Sequence, residues 1–237
     1  MAIQAVVNAE PARLKFIASP WHLLIVTAIA GLNAYRGAIY AVHARSGLGP
    51  SRSHMYLRTM AFECGFLAVV ALGVWLHGSS LHTIFGQRWR CVGQMLGDVG
   101  IGAALWFVAI IVVSILGGHG APPDQSIAFL MPHTSAEMAL WIALSIIAGI
   151  CEEAIFRGYL QQQFAALTQS TSAGVLISAA AFGGVHAYQG LSRAAVIGIS
   201  AILFGVVAQW RGTARPGMFS HVLQDALAPL LIKLLKH

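Results

Sequence analysis

Charge is scarce in this sequence of 237 residues. Asp, Glu, Lys and Arg together make up 9% of it, against about 25% in a soluble domain, which argues against an ordinary water-facing globule. Cysteine is also scarce: Cys64, Cys91 and Cys151 cannot all pair. Cys64 and Cys151 lie inside apolar runs, where a free thiol behaves as a small hydrophobe, so neither a disulfide framework nor a redox site is expected. A Gly-rich phosphate loop, a dinucleotide fingerprint and a Cys-x-x-Cys pair are all missing, which leaves nucleotide and zinc-ribbon readings without residues to stand on. No internal repeat and no low-complexity tract is present. The N-terminal stretch, with Glu10, Pro11, Arg13 and Lys15, lacks a small-residue cleavage site where a signal peptide needs one, so the first apolar span is expected to be retained.

Apolar residues are what the chain has in excess: 57% of the sequence is hydrophobic and the mean hydropathy is +0.73. Segments of about 20 apolar residues cross a bilayer core, and the expectation is an all-α, polytopic transmembrane bundle of about seven spans, with 1–237 as a single integral membrane domain. The spans fall at about 20–42, 59–77 and 95–117, from Glu137 past residue 160, and at about 172–189, 193–210 and 217–235. Residues 78–94 mix Leu81, Ile84, Phe85, Trp89 and Val92 with His82, Gln87, Arg88 and Arg90 and read as one interfacial amphipathic helix. Residues 118–136, rich in Gly and Pro, read as the longest irregular loop. A net charge of +6 scattered between apolar runs suits a charged lipid surface rather than nucleic acid. Lys and Arg counts over the loops tie between the two sides, so they leave the orientation open.

With so few acids, their positions matter. Glu63, Asp98, Glu152, Glu153 and Asp225 fall within or at the ends of apolar segments, where a charge costs at least about 2.5–3.5 kcal/mol. Asp98 suits the positive end of a helix dipole, and Glu63 is given a structural role. In Glu152-Glu153-x-x-x-Arg157, residues four apart share a helix face while adjacent ones diverge by about 100°. Glu153 is therefore expected to pair with Arg157, leaving Glu152 as the free carboxylate, suited to acid or base chemistry. A Glu-Arg clamp that only helps helices pack is the alternative for this motif. Two further segments present Phe182 and His186, then His221 and Asp225, each pair at i and i+4. Taken together, histidines and carboxylates on three segments are the components of a hydrolytic or metal site.

These three motifs, Glu-Glu-x-x-x-Arg at 152–157, Phe-x-x-x-His at 182–186 and His-x-x-x-Asp at 221–225, give the chain its resemblance to the CAAX-processing and bacteriocin-processing intramembrane protease family, often called CPBP or Abi, which includes the Rce1-type CAAX prenyl proteases. The resemblance covers about 137–230, with a motif-bearing core at about 137–235. It implies a membrane endopeptidase that uses a water molecule rather than a side-chain nucleophile. Glu152 would activate the water with help from His186, His221 would stabilise the oxyanion, and Glu153 and Arg157 would support them. Asp225 departs from the family's usual Asn, and an ionised carboxylate cannot donate a hydrogen bond; it would be protonated, orient His221 or ligate a metal. Glu152, His186, His221 and Asp225 could together hold a divalent ion such as zinc, as a metalloprotease would. The expected partners are membrane lipids and a membrane-tethered peptide or protein, prenylated or bacteriocin-related, in a bacterial plasma membrane. A proton- or ion-coupled transporter and a catalytically silent scaffold are the competing readings.

Overall fold

The structure, a computed structural model, describes residues 13–46, 50–116 and 130–234. The interfacial lead before residue 13 and most of the loop read at 118–136 lie outside the described residues. Every regular element among those described is helical, as the composition requires.

In chain order the elements are α1 (Pro20–Arg45), α2 (Arg52–Leu76), the four-residue α3 (His82–Phe85), α4 (Val92–Leu116) and α5 (Ser135–Glu153). A π-helical segment, Ala154–Leu160, carries α5 straight into α6 (Gln161–Thr168). Then follow α7 (Thr171–Val185), a 3₁₀ turn (Ala187–Gln189), α8 (Leu191–Arg211) and α9 (Arg215–Leu234). The chain is an integral membrane protein. Among the described residues, five helical runs are long and apolar enough to cross a bilayer: Pro20–His43, Arg52–Leu76, Val92–Leu116, Ser135–Thr168 and Leu191–Arg211.

The count of seven is therefore not reproduced. The segment expected at 172–189 forms only 15 helical residues, about 22 Å at 1.5 Å per residue, short of a hydrocarbon core of about 30 Å. The segment expected at 217–235 is helical, but His221, Gln224, Asp225 and an internal Pro229 dilute its hydropathy, and it packs inside the bundle against α4 and α5. Nor does 78–94 form the amphipathic helix expected of it. The helix stops after Phe85 because Gly86 takes φ +89°, a conformation that suits glycine. The apolar residue this short turn buries is Ile84, wedged against the π segment.

Large apolar side chains of α1 and α4, such as Trp21, Leu24, Phe107 and Ile115, are exposed, as lipid-facing surfaces of a bundle should be. The main core joins α1, α2, the π segment and α7 through Val26, Val70, Ile155, Tyr159 and Phe182. A smaller core of Leu105, Ala109 and Phe204 seats α4 on α8. Buried polar groups close on one another. His22 Nε2 donates to the Val69 carbonyl (3.1 Å) and its Nδ1 accepts from the Tyr159 hydroxyl (2.6 Å). Gln163 binds the backbone of Ile17 and Ala18, holding the entry to α1. Asp98 is not in the first turn of its helix. It is buried, accepts from Trp89 Nε1 (2.8 Å) and pairs with Arg211 (2.7 Å).

Candidate active site

The acids of the first motif sit near the middle of the 34-residue helical run Ser135–Thr168, at the junction where α5 becomes the π segment. A π turn shifts the ladder to i→i+5 and is found preferentially at functional sites. Here the Phe156 carbonyl accepts the Gln161 N–H and also the Ser178 hydroxyl of α7 at 2.7 Å, so the irregular backbone is satisfied by its neighbour. All seven π residues are buried.

Glu153 and Arg157 form the expected i,i+4 pair, Nη1 to Oε1 at 2.7 Å, and both are buried. The guanidinium also lies over the Phe182 ring, 4.3 Å from its centroid, and faces Phe204 at 5.3 Å, which replaces part of its lost hydration. Glu153 Oε1 has a second partner, His221 Nδ1 at 3.2 Å. A carboxylate only accepts, so Nδ1 carries the hydrogen and Nε2 is turned the other way.

His186 is oriented by the same device. Its Nδ1 donates to the Phe182 carbonyl at 2.8 Å, and its ring rests against the Phe182 and Tyr188 rings. Both Nε2 atoms face one oxygen: Glu152 Oε2 lies 3.9 Å from His186 Nε2 and 3.9 Å from His221 Nε2. That oxygen is buried and has no hydrogen-bond partner. Asp225 Oδ2 is 3.5 Å from His221 Nε2, and its backbone carbonyl is held by Trp141 Nε1 at 2.8 Å. The six residues singled out in sequence, Glu152, Glu153, Arg157, His186, His221 and Asp225, thus meet in one cluster drawn from α5, the π segment, the end of α7 and α9, with Glu153, Arg157 and His221 buried and the other three partly exposed.

Donor chemistry alone would let Glu152, His186, His221 and Asp225 hold zinc. Among the described residues, however, no group of three or more His, Cys, Asp or Glu side chains is arranged to hold a metal ion. The geometry brings the four together without forming a ligand set.

Residues 134–227 match the family model for type II CAAX prenyl endopeptidase Rce1-like proteins. The segment is similar to the Rce1-like proteins over this range. No curated protein and no solved structure matches the chain. The matched segment begins at α5 and ends within α9, so it contains every member of the cluster, and the family it matches is one of peptidases.

Two nearby residues were not singled out for chemistry in the sequence. Glu63 of α2, outside the Rce1-like segment, is buried and within electrostatic reach of Glu152 and His221. An acid in the middle of an apolar span was the available signal. Tyr188, in the 3₁₀ turn after His186, accepts a hydrogen bond from Gln189 at 3.1 Å. Burial pushes its hydroxyl up to about 12, so it stays a neutral phenol at working pH. A tyrosine in a turn carries no such signal in sequence.

Proposed function

We propose that the Rce1-like domain hydrolyses a peptide bond of a membrane-tethered protein or peptide, with water activated by Glu152. The observation that carries this reading is the unpartnered Glu152 Oε2 between two imidazole Nε2 atoms, each 3.9 Å away. Both separations are too long for a direct hydrogen bond, and a water is the partner assigned to them in this reading. Water held between Glu152 and His186 gives its proton to the carboxylate as its oxygen attacks the scissile carbonyl. Protonated His221 donates from Nε2 to the oxyanion, an interaction worth a few kcal/mol in a water-poor site. Collapse of the tetrahedral intermediate breaks the C–N bond, and the proton held by Glu152 passes to the leaving amine.

Glu153 supports this sequence by holding His221 through Nδ1, and Arg157 by balancing the charge of Glu153. Asp225, where the family usually has Asn, faces His221 Nε2 and in its ionised form stabilises the protonated ring, so the oxyanion contact falls to His221 alone. Water activation in this reading needs only Glu152 and the two imidazoles. The substrate class is a membrane-tethered peptide, prenylated at a CAAX-like end or of the bacteriocin type, and the setting is a bacterial plasma membrane.

The test is cleavage of a membrane-tethered peptide library by the purified chain in detergent. Glu152→Gln is expected to lower turnover by about 10²–10⁴, the usual contribution of a general base, with the thermal transition unchanged. Chelator treatment of the wild type is expected to leave cleavage intact. Loss restored by zinc would overturn the metal-free mechanism, and equal activity of wild type and Glu152→Gln would overturn the role of Glu152.

A further inference from the structure

In peptide hydrolysis the tetrahedral intermediate carries a negative oxygen, and donors aimed at that oxygen in advance are a major source of rate. His221 Nε2 is one such donor. Asp225 Oδ2, 3.5 Å from it, is not a second, because an ionised carboxylate only accepts. Arg157 is committed to Glu153, and His186 is assigned to the attacking water. A second donor can therefore come only from outside the three motifs, from a neutral group held still beside the cluster.

Tyr188 meets these requirements. It lies two residues after His186 in the 3₁₀ turn Ala187–Gln189, and the turn is tied back to His186 itself: the His186 carbonyl accepts the Gln189 N–H at 2.9 Å, and the Ala187 carbonyl accepts the Gly190 N–H at 3.0 Å. Gly190 takes φ +105°, which suits glycine, and leads the chain into α8. Two elements hold the tyrosine ring. It stacks on the His186 imidazole, with 6.1 Å between centroids and 28° between planes, and it packs on the α1 backbone, where a Cβ added to Gly37 would lie 3.3 Å from Tyr188 Cδ1.

The hydroxyl accepts from Gln189 Nε2 at 3.1 Å, and a phenol that accepts also donates through its own O–H. It lies within electrostatic reach of Glu152 on α5, Asp225 on α9 and Glu63 on α2. Acids on three different helices place it on the cluster side of the turn. Because the phenol ionises only near 12, the donor proton is present at working pH.

We infer, on the peptide-hydrolysis reading, that Tyr188 is a further catalytic residue: its hydroxyl donates to the oxyanion beside His221 Nε2 and supplies the hydrogen bond that Asp225 as a carboxylate cannot give. The O–H proton stays on the tyrosine throughout.

The experiment measures steady-state cleavage of a peptide from the tethered library at neutral pH by the full chain in detergent, as wild type, Tyr188→Phe, Asp225→Asn and the double variant. Tyr188→Phe keeps the ring and its stacking, so Tm is expected to match wild type. Its kcat is expected to fall by about 10²-fold, the scale of one oxyanion donor, with KM little changed because the contact forms only in the transition state. Asp225→Asn puts an amide donor of the same shape next to His221. In that background Tyr188→Phe is expected to cost about tenfold or less, since donors that replace one another are not additive. A ring that merely propped His186 would give equal losses in both backgrounds. A folded wild type that cleaves nothing overturns the peptidase reading and the role of Tyr188 together. Cleavage by wild type with kcat unchanged in Tyr188→Phe, a loss in KM alone, or equal losses in the two backgrounds overturns the role of Tyr188 and leaves the peptidase reading standing.

Discussion

A hydrogen bond from His221 Nδ1 to Glu153 and another from His186 Nδ1 to the Phe182 carbonyl decide what the site can do, because each fixes where the free Nε2 points. The first depends on Arg157, whose charge makes a buried Glu153 tolerable. Removing one partner of a buried pair leaves the other uncompensated, at about 3–5 kcal/mol. Arg157→Ala is therefore expected to lower stability by about that much, read from thermal unfolding in detergent, and far more than removal of an exposed arginine such as Arg13. Tyr188 gives a prediction of opposite kind. Its hydroxyl ionises near 12 in the native state and near about 10 in the unfolded chain. Below pH 10 both states keep the proton and Tyr188 adds no pH dependence. As pH rises from 10 towards 12 the unfolded chain alone releases it, so stability falls. Tyr188→Phe is expected to flatten that part of a stability-against-pH curve, and an unchanged slope would show that Tyr188 titrates normally.

The π segment is the element that sets these residues in place, and it is held from outside by α3. A Cβ on Gly158 would run into the Ile84 carbonyl, which is backbone and cannot rotate away. Gly158→Ala is expected to cost about 1–3 kcal/mol, the range for overpacking, and to reduce peptide cleavage by displacing Arg157. Gly97→Ala on α4, where a Cβ meets nothing, is the matched control and should be neutral in both readouts. This element also marks what was legible in sequence. Glu153 and Arg157 could be paired because i,i+4 spacing is local, and the acids of an apolar chain drew attention by their cost. The π register could not be read, since it rests on the Ser178 contact from α7. The seventh segment is apolar enough in sequence to suggest a span, but His221, Asp225 and Pro229 lower its hydropathy, and the structure packs it against α4 and α5. The helix expected over 78–94 failed because its apolar residues serve a four-residue turn docked on Gly158 rather than a membrane surface.

For the molecule as a whole, the Rce1-like segment carries every member of the proposed site, and the N-terminal helices pack against it. α9, which carries His221 and Asp225, is seated between α4 and α5, and two glycines allow the approach. A Cβ on Gly149 of α5 would lie 2.6 Å from Val222 Cγ2, and one on Gly102 of α4 would lie 2.7 Å from the Pro216 carbonyl and 2.8 Å from Phe219 Cβ. Only the second lies outside the matched segment, more than 30 residues before it in the chain. Substitution there touches no member of the cluster, yet it must push α9 outward or bend it. A displacement of about 1 Å can cost about 10²-fold in rate when reacting groups depend on position. Gly102→Leu is therefore expected to lower kcat by one to two orders of magnitude, about the effect of that misplacement, while the chain still inserts and shows a cooperative thermal transition. KM should change little, because the substitution lies behind α9 rather than on a surface that meets substrate. If kcat instead tracked wild type while Tm fell, α4 would be a stabilising brace alone, and alignment of His221 would have to come from Glu153 and α5.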